Sequence, residues 1–350
     1  MAKRLSNLDL MKEVDAFPYE NTEPEVFRAL TSELYTLTWR DGQPLGYMLR
    51  SVVEELVGVP EAIRGPVAVD HAARTVHAFE HGATEAERTR TVAAVMDYWK
   101  ARGTFATLRG WRDELWPVYA AVGSGGGGGG GGGDGDGDGE GRPLEVLYSV
   151  ERSGMGLLGT MRYGVHMVAY VRDEAAPHGL RLWVPRRAAD KATFPGMLDN
   201  TAAGGLMTGE EPFECMVREA DEEADIPGHV MRARARLTGT VTYIYITDER
   251  TGGERGQIYP ETQWVYEIEL PSDFTPAPKD GEAEGFCLMT VDEVREELAR
   301  GSFKPNCALV TLDFLVRHGI LTRENEPDYD EIVRRMHRKV PFPGPHQAAS

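Results

Sequence analysis

The sequence predicts an α/β fold for the larger part of this 350-residue chain, with a mixed sheet packed between helices. Two observations support this fold class. In the second half, β-branched and aromatic segments alternate with segments of helical periodicity. A run of nine glycines within residues 124–142 separates that half from a smaller first half, where strand and helix signals are mixed. We therefore expect residues 1–123 to form a small α+β accessory domain.

The first half contains one strong hairpin signal. Asp41-Gly42 lies between two strand-like segments, 34–40 and 44–48, and an Asp-Gly pair favours the tight turn of a β-hairpin. Helical patterns cover residues 27–32, 49–57 and 85–102, and an aromatic-rich segment runs from Trp111 to Tyr119. No spacing typical of a catalytic site occurs in this half.

The glycine-rich segment, residues 124–142, reads SGGGGGGGGGDGDGDGEGR. Such a run cannot hold regular structure, so we expect a flexible insertion. Residues with the spacing of an EF-hand calcium loop follow the glycines: Asp134, Asp136, Asp138, Gly139 and Glu145. Polyglycine stands where the entering helix of an EF-hand is required, and we therefore do not predict a calcium site.

The second half, residues 143–325, is expected to be the main domain, followed by a C-terminal tail over 326–350. Strand patterns are found at 165–171, 181–184, 237–246 and 263–270, and helical patterns at 291–300 and 306–318. Gly154, Gly156 and Gly159 have the spacing G-x-G-x-x-G. A strand rather than a helix follows them, so we do not predict a dinucleotide site.

The most informative segment is GGLMTGEEPFECMVREADEEADI, residues 204–226. It predicts a loop, a helix and a second loop. The Gly204-Gly205 pair permits a sharp turn and close approach to a ligand, and Pro212 suits the first position of a helix. Apolar residues then recur at helical spacing, which predicts one buried stripe: Phe213, Met216, Val217 and Ala220.

Three carboxylates of this helix, Glu219, Glu222 and Glu223, stand at positions i, i+3 and i+4 and share one face. Like charges at i,i+4 cost roughly 0.2–0.5 kcal/mol per pair. A hard cation such as Mg²⁺ or Mn²⁺ binds carboxylate oxygens and would remove this cost. The alternative is a solvated acidic face, because the chain has 56 Asp and Glu against 38 Lys and Arg. The full spacing of the segment favours a metal site.

The segment resembles the Nudix box, G-x5-E-x7-R-E-[apolar]-x-E-E-x-G-[apolar]. Every fixed position matches except the last glycine, which is Asp225 here. Asp tolerates the left-handed conformation often needed at a helix end, so this departure leaves the carboxylates untouched. The resemblance implies an α/β/α sandwich and an enzyme in which water attacks a phosphorus of a nucleoside-diphosphate-like substrate.

The resemblance also implies roles for individual residues. Glu219, Glu222 and Glu223 would bind Mg²⁺ or Mn²⁺, and one of them would double as the base. Arg218 would orient a glutamate, and Glu210 would brace the loop. The bound metal would neutralise charge on the diphosphate and activate water.

Stretches on both sides of the box are similar to one subgroup, the fungal and plant Nudix hydrolases related to thiamine pyrophosphokinase. They include FPGMLDNTAAGGL (194–206), PETQWVYEIELP (260–271), DGEAEGFCLMTVDEV (280–294), RRMHRKVPFP (334–343) and GWRDELWPVY (110–119). This similarity implies conversion of damaged-thiamine diphosphates, such as oxothiamine and oxythiamine diphosphate, to monophosphates. Kinase activity is not implied, because the chain has no P-loop. Two alternatives stay open: a Nudix hydrolase of another substrate, such as an ADP-sugar or coenzyme, and a noncatalytic Nudix-fold binding module.

Further site residues are expected outside the helix. Arg186, Arg187 and Lys191 precede the box and are candidates for phosphate contacts, with ordinary surface charge as the alternative. Together with Gly204 and Gly205, Arg186 and Arg187 form the predicted substrate-binding set. In Nudix folds, a glutamate outside the box often supplies a further metal ligand or the base.

Two glutamates, Glu282 and Glu284, suit that last role, and Glu282 is taken as a catalytic candidate beside Glu219, Glu222 and Arg218. The alternative for both is an exposed acidic loop. Four aromatic residues would either stack on a substrate ring or, as strand spacing favours, pack in the core: Trp183, Tyr243, Tyr245 and Trp264.

Composition limits the partners and the compartment. A net charge of −18 argues against nonspecific binding to nucleic acid or acidic membranes, and the expected partner is a small-molecule diphosphate. No apolar run is long enough for a transmembrane helix, and the first residues lack a signal core. Cys215, Cys287 and Cys307 are widely spaced and odd in number, which indicates reduced thiols in a cytoplasmic setting.

We predict that deletion of residues 125–133 leaves kcat and KM within a few-fold of wild type. A loop without packing contacts changes the closure entropy only slowly with its length. Steady-state kinetics of the two proteins test this. Calcium titration calorimetry tests the EF-hand alternative: micromolar binding that disappears in Asp134→Ala would show that the calcium interpretation is right.

Overall fold

The computed structural model describes residues 4–122 and 143–348. Within these ranges the α-helices are α1 (Asn7–Val14), α2 (Pro24–Thr31), α3 (Arg50–Gly58), α4 (Glu61–Arg64), α5 (Glu85–Arg102), α6 (Met155–Leu158), α7 (Pro212–Ala224), α8 (Gly228–Arg234), α9 (Val291–Ala299), α10 (Pro305–Arg317) and α11 (Tyr329–Met336). The strands are β1 (Leu34–Trp39), β2 (Gln43–Leu49), β3 (Ala68–Asp70), β4 (Thr75–His77), β5 (Leu115–Ala121), β6 (Leu144–Glu151), β7 (Arg162–Arg172), β8 (Leu180–Arg187), β9 (Ala202–Gly205), β10 (Arg236–Ile246), β11 (Ile258–Glu269) and β12 (Ala283–Thr290).

The chain divides into two compact units whose limits differ from the predicted domain boundaries. The larger unit contains Met1–Ala29 and Arg162–Val340, and the smaller contains Leu30–Met161 and Pro341–Ser350. The N-terminal helix α1 belongs with the larger unit because it packs on α10 and α11. Helix α11 falls in the segment expected to be a tail. Strand β6, expected in the main domain, pairs with β5 of the smaller unit.

The larger unit is built on a six-stranded mixed sheet. Its strand order is β10-β11-β7-β8-β12, and β9 is an additional partner of β7. Strands β11 and β7 run parallel, whereas the other neighbouring pairs are antiparallel. The predicted strands at 165–171, 181–184, 237–246 and 263–270 all lie in this sheet. Strand β9 was not predicted, because its sequence, AAGG, has low β-propensity and depends on pairing with β7.

Helices cover both faces of this sheet. Phe213 of α7 contacts Tyr266, which is the register partner of Met167 in β7. Phe314 of α10 contacts Tyr170, whose side chain lies on the opposite face from Met167 because side chains alternate along a strand. Helices α7 and α10 therefore lie on opposite faces, and the α/β/α sandwich predicted from the sequence is confirmed.

Strand β7 has two different partners on one side along its length. Its first half, from Gly164 to Met167, pairs with β9, and its second half pairs with β8. Thr201 bridges the division: its hydroxyl accepts the Ala169 N–H at 2.8 Å and donates to the Trp183 carbonyl at 2.8 Å. This division brings the box and the end of β8 to the same part of the sheet.

The smaller unit contains the predicted hairpin. Strands β1 and β2 pair antiparallel on either side of Asp41-Gly42, in a sheet of order β2-β1-β4-β3. Helix α5 spans the predicted residues, and Thr84 and Glu87 form a capping box at its start. The glycine run and the EF-hand spacing start after β5, and residues 123–142 lie outside the described residues. None of the helices in the described ranges has the length and hydropathy needed to cross a bilayer.

A buried charge cluster attaches the N-terminal segment to the larger unit. The carboxylate of Asp15, which is fully buried, accepts hydrogen bonds from Arg338 Nε at 2.5 Å and Tyr19 Oη at 2.7 Å. Arg335 donates to the Asp15 carbonyl at 3.0 Å, and the Ile244 N–H donates to the Asp15 carboxylate at 3.1 Å. One carboxylate thus joins the segment after α1, the sheet and the segment after α11.

We expect Asp15→Asn to lower the free energy of unfolding of the larger unit by about 3–5 kcal/mol, since it leaves the buried Arg338 without its carboxylate partner. Urea unfolding followed by tryptophan fluorescence measures the shift. Glu296→Gln is the control, because Glu296 pairs with Arg4 at the surface and its loss should leave the midpoint near wild type. Equal midpoints for the two variants would contradict the importance of the Asp15 cluster.

Candidate active site

The box forms the predicted loop, helix and loop. Pro212 is at the start of α7, and Asp225 ends the helix in the left-handed conformation, with φ 51° and its N–H donated to the Ala220 carbonyl. The apolar stripe predicted from the sequence is buried at Met216, Val217 and Ala220. Phe213 is only half-buried, whereas Cys215 on the same helix is buried.

Strand β9 and helix α7 approach each other closely at Gly204. A Cβ atom built on Gly204 would lie 2.0 Å from Cδ and Oε1 of Glu219. A larger residue here would push the Glu219 carboxylate out of this position, because real Cβ atoms do not approach another heavy atom so closely. The glycine that opens the box therefore makes room for the Glu219 carboxylate.

Arg218 connects three box carboxylates. Its Nε donates to Glu210 Oε1 at 2.9 Å, and its Nη1 donates to Glu219 at 2.8 Å and to Glu222 at 3.1 Å. Burial opposes the charge of Arg218, but hydrogen bonding to Glu210 and the Glu219 carboxylate raise the pKa of Arg218 above its usual value. Glu210 also accepts the Met207 N–H at 3.3 Å. This geometry suits the expected orienting role of Arg218 and bracing role of Glu210.

Glu223 lies apart from this arginine. Its Oε2 accepts the Ala203 N–H of β9 at 2.8 Å. Burial and the nearby Glu219 carboxylate raise the pKa of Glu223 well above its usual range, although the Ala203 hydrogen bond opposes the shift. Carboxylate oxygens of Glu223, Asp280 and Glu282 all lie within 4.8 Å of one another. An all-oxygen set of this kind suits a hard divalent cation, which would compensate the buried charge.

The structure therefore groups the carboxylates differently from the helix spacing. Glu219 and Glu222 share Arg218, and the Glu222 side chain is 51% exposed. Glu223 joins two residues of the loop before β12. Sequence reasoning missed Asp280. It is one of several acidic residues in the same loop, and no pattern in the sequence indicates which of them turns toward the box. Glu284, in contrast, is exposed.

The basic residues before the box have different surroundings. Arg187 donates to Asp199 at 2.6 Å in a mostly buried ion pair, while Arg186 is exposed and donates to the Gly196 carbonyl at 2.8 Å. Lys191 pairs with Glu282 at 2.7 Å, next to the acidic group. Burial alone would raise the pKa of Asp199, but Lys304 and Arg187 hold it well below its usual range.

A small cavity lies between the ion pair and the acidic group. Its volume is about 20 Å³, which is close to the size of one water molecule, and Arg187, Asp199, Asn200, Glu223 and Glu282 line it. The cavity thus places one arginine and two acids of the candidate cation site around the same space.

Comparison with known proteins identifies the domain that carries this geometry. Residues 162–307 match the NUDIX domain, and residues 30–124 match a domain of unknown function, DUF4743. The uncharacterized protein YJR142W of Saccharomyces cerevisiae is 32% identical over 347 residues, which cover 97% of this chain and 92% of the yeast protein. This protein belongs to the Nudix hydrolase family.

Two Nudix hydrolases of Arabidopsis thaliana, numbers 24 and 20, both named as chloroplastic, are each 33% identical to this chain. The matches cover 71% and 72% of the chain, which spans 59% of the length of each plant protein. A solved structure of DR0079 from Deinococcus radiodurans aligns with a TM-score of 0.33 and 24% identity, over 55% of this chain and 94% of that one.

Family membership agrees with the chemistry of the acidic group, because Nudix enzymes generally use divalent metal ions. When bound, such an ion supplies positive charge to a diphosphate and lowers the pKa of water. Glu223, Asp280 and Glu282 are the residues whose oxygen atoms would be close enough together to hold it. Arg218 holds Glu219 in place, and Lys191 holds Glu282.

The four aromatic residues considered either for ring stacking or for the core are all buried: Trp183, Tyr243, Tyr245 and Trp264. Their interpretation as core residues is confirmed.

We predict that Glu222→Gln and Glu223→Gln each abolish turnover and leave the fold intact. Glu223→Gln should also stabilise the metal-free protein, because an amide oxygen can accept the Ala203 N–H without burying a charge. Thermal unfolding with and without Mn²⁺ tests this second effect: the cation should raise the Tm of wild type more than that of Glu223→Gln. Glu214→Gln is the matched control on the same helix, since Glu214 pairs with Arg232 at the surface. Full activity in either box variant would show that the carboxylates are not required.

Proposed function

We propose that this Nudix enzyme is a Mg²⁺- or Mn²⁺-dependent pyrophosphohydrolase that converts diphosphates of damaged thiamine to monophosphates and phosphate. The observation that carries the hydrolytic part is the concentration of carboxylates where β9 meets α7. A noncatalytic binding module has no use for buried like charges that cost stability without a cation. A metal ion that neutralises these carboxylates and promotes the attack of water on phosphorus would account for them.

The roles of individual residues are proposed from the spacing of the box and from the contacts of its neighbours. Glu219, Glu222 and Glu223 are the proposed metal ligands, and Glu282 joins them from outside the box, with Asp280 beside it. Five oxygen donors exceed what one Mg²⁺ takes from protein when it keeps several waters, so more than one ion fits this acidic surface.

The base is proposed among the box glutamates. Water attacks a phosphorus, the bond from that phosphorus to the bridging oxygen breaks, and a carboxylate takes the proton of the water. Glu219 suits this role best. Arg218 hydrogen-bonds its Oε1 at 2.8 Å and holds the carboxylate in the space that the missing Cβ of Gly204 leaves, so the carboxylate is preorganised.

Phosphate binding is assigned to the basic residues near the acidic group. Arg186 is the exposed guanidinium of the predicted pair, and Gly204 and Gly205 expose backbone at the start of the box. Arg187 is paired with Asp199. It would therefore contribute to phosphate binding through its positive charge and through the remaining N–H groups of its guanidinium.

The substrate class rests on the sequence similarity on both sides of the box. The stretches at 260–271 and 280–294 lie in the larger unit that holds the site. The yeast and plant relatives carry no substrate in their names, so the thiamine assignment is ours. We also propose a cytoplasmic setting, which agrees with the absence of disulfides among Cys215, Cys287 and Cys307.

We predict a higher kcat/KM for oxothiamine and oxythiamine diphosphate than for thiamine diphosphate. Oxothiamine lacks the thiazolium charge, and oxythiamine has a keto oxygen in place of the pyrimidine amino group. A site that leaves a polar group unpaired with the wrong substrate discriminates by about 1–3 kcal/mol. Kinetics on purified protein with Mg²⁺, with phosphate and monophosphate quantified, measure the ratio.

ADP-ribose and NADH are the comparison substrates in the same assay, and Glu222→Gln controls for contaminating phosphatase. If ADP-ribose or NADH has the highest kcat/KM, the assignment as a diphosphate hydrolase holds and the thiamine assignment is wrong.

A further inference from the structure

A group of polar side chains interrupts the apolar face of the sheet beneath α10. Val168, Tyr170, Val241 and Val265 occupy this face and belong to the main hydrophobic core. Toward the box end, the same face carries polar residues on three neighbouring strands, and the start of α10 adds one more. We call these residues the polar cluster: His166, Tyr243, Glu261, Gln263 and Asn306.

One half of the polar cluster is organised around Glu261. Its Oε2 accepts the Tyr243 hydroxyl at 2.6 Å and the Gln263 amide at 3.1 Å. Its Oε1 faces Arg162 Nη1 at 3.6 Å, and the Glu261 side chain is 15% exposed. Two donors thus fix one carboxylate oxygen and direct the other toward the accessible rim of the cluster.

The other half is organised around His166. Asn200 donates its amide to the Cys307 carbonyl and to Thr311, so its Oδ1 is an acceptor, and His166 Nδ1 at 2.8 Å must carry the proton. His166 Nε2 is then the acceptor for Asn306 Nδ2 at 3.4 Å. Burial and the nearby Lys304 lower the pKa of His166 to about 4, so the ring is neutral at pH 7.

The polar cluster lies on the opposite face of the sheet from the box helix, and it approaches the box at strand β9. Gly164 separates them: a Cβ built there would lie 2.4 Å from Gln263 Oε1 and 2.7 Å from the Gly204 carbonyl. On its own Cβ side, Gly204 faces Glu219. Asn200, which orients His166, lines the small cavity together with Glu223. The cluster is therefore linked to the acidic group through Asn200 and this cavity, while Glu219 lies on the other face of the sheet.

A contribution to the stability of the fold does not explain why a carboxylate, Glu261, occupies this position. A largely buried ion pair such as Glu261–Arg162 is often no more stabilising than apolar residues of the same volume, and the adjoining half of the face is already apolar. A carboxylate fixed by two donors, with a neutral histidine and an amide nearby, instead provides one strong acceptor and one donor at a partly accessible edge. This pair complements a ring that carries an N–H beside an acceptor atom.

We propose that the polar cluster binds the nitrogen heterocycle of the substrate, with Glu261 accepting a ring or exocyclic N–H and Asn306 donating to an adjacent acceptor. Both aminopyrimidines and their keto forms carry such a donor beside an acceptor. The assignment rests on the proposed function in that the substrate is a diphosphate with an organic group, and it names the residues that select that group.

The test compares kcat and KM for two substrates: the best heterocyclic diphosphate, and an aryl-alkyl diphosphate of similar size without nitrogen. Glu261→Gln and Asn306→Ala should lower kcat/KM for the heterocyclic diphosphate about tenfold, mainly through KM. The first replaces a charged acceptor by a weaker neutral one, and the second leaves the acceptor atom of the ring unpaired. Both variants should stay within about twofold of wild type on the aryl-alkyl diphosphate. Two variants are used so that misfolding of one, detected by circular dichroism, leaves the other.

Glu269→Gln is the matched control. Glu269 is on the same strand and also accepts from a tyrosine hydroxyl, Tyr170 Oη at 3.5 Å, and from Arg172 Nε at 3.0 Å, but it lies at the far end of β11. It should behave like wild type on both substrates. Equal losses on both substrates, or no loss on either, would refute the assignment of the polar cluster.

The comparison uses whichever heterocyclic diphosphate is hydrolysed best, so it also works if that substrate is ADP-ribose. In that case the thiamine assignment fails while the polar cluster is still tested.

Discussion

The close packing of strand β9 against helix α7 is the constraint on which the site depends. Gly204 has no Cβ, and the Glu219 carboxylate occupies the space that a Cβ would need. The preceding residue of β9, Ala203, donates its N–H to Glu223. Two acidic residues are thus held by one four-residue strand, and Arg218 orients Glu219 from the side. The carboxylates repel one another in the absence of a cation, but they need little reorganisation when a cation binds.

Strand β7 organises the parts of the site around this contact. It pairs with β9 along its first half and with β8 along its second half, and it runs parallel to β11 on its other side. Each partner contributes a different property: β9 positions the box carboxylates, β8 ends in the Arg187–Asp199 ion pair, and β11 carries Glu261 and Gln263. The groups proposed to bind phosphate, a cation and a heterocycle are therefore arranged around one strand, which keeps their relative positions rigid.

Much of the architecture follows from local signals in the sequence. Helix α5 has the predicted limits because Thr84 and Glu87 cap its start and Gly103 ends it. Strands β7 and β10 are long enough for alternation to identify them. The limits of the two compact units differ from the predicted domain boundaries for a different reason. Helices α1 and α11 are short, and Asp15 holds them together through contacts with arginines more than 300 positions away, which no local pattern reports.

The sequence by itself determined the family, the α/β class, the limits of the box helix and the left-handed end at Asp225, because each depends on residues that are neighbours along the chain. Only the tertiary structure decided which carboxylates stand together. Helix spacing grouped Glu222 with Glu223, whereas folding turned Glu222 to Arg218 and placed Glu223 beside Asp280 and Glu282. The polar cluster likewise exists only in the folded sheet, since pairing across strands brings its residues together and sequence separation conceals that proximity.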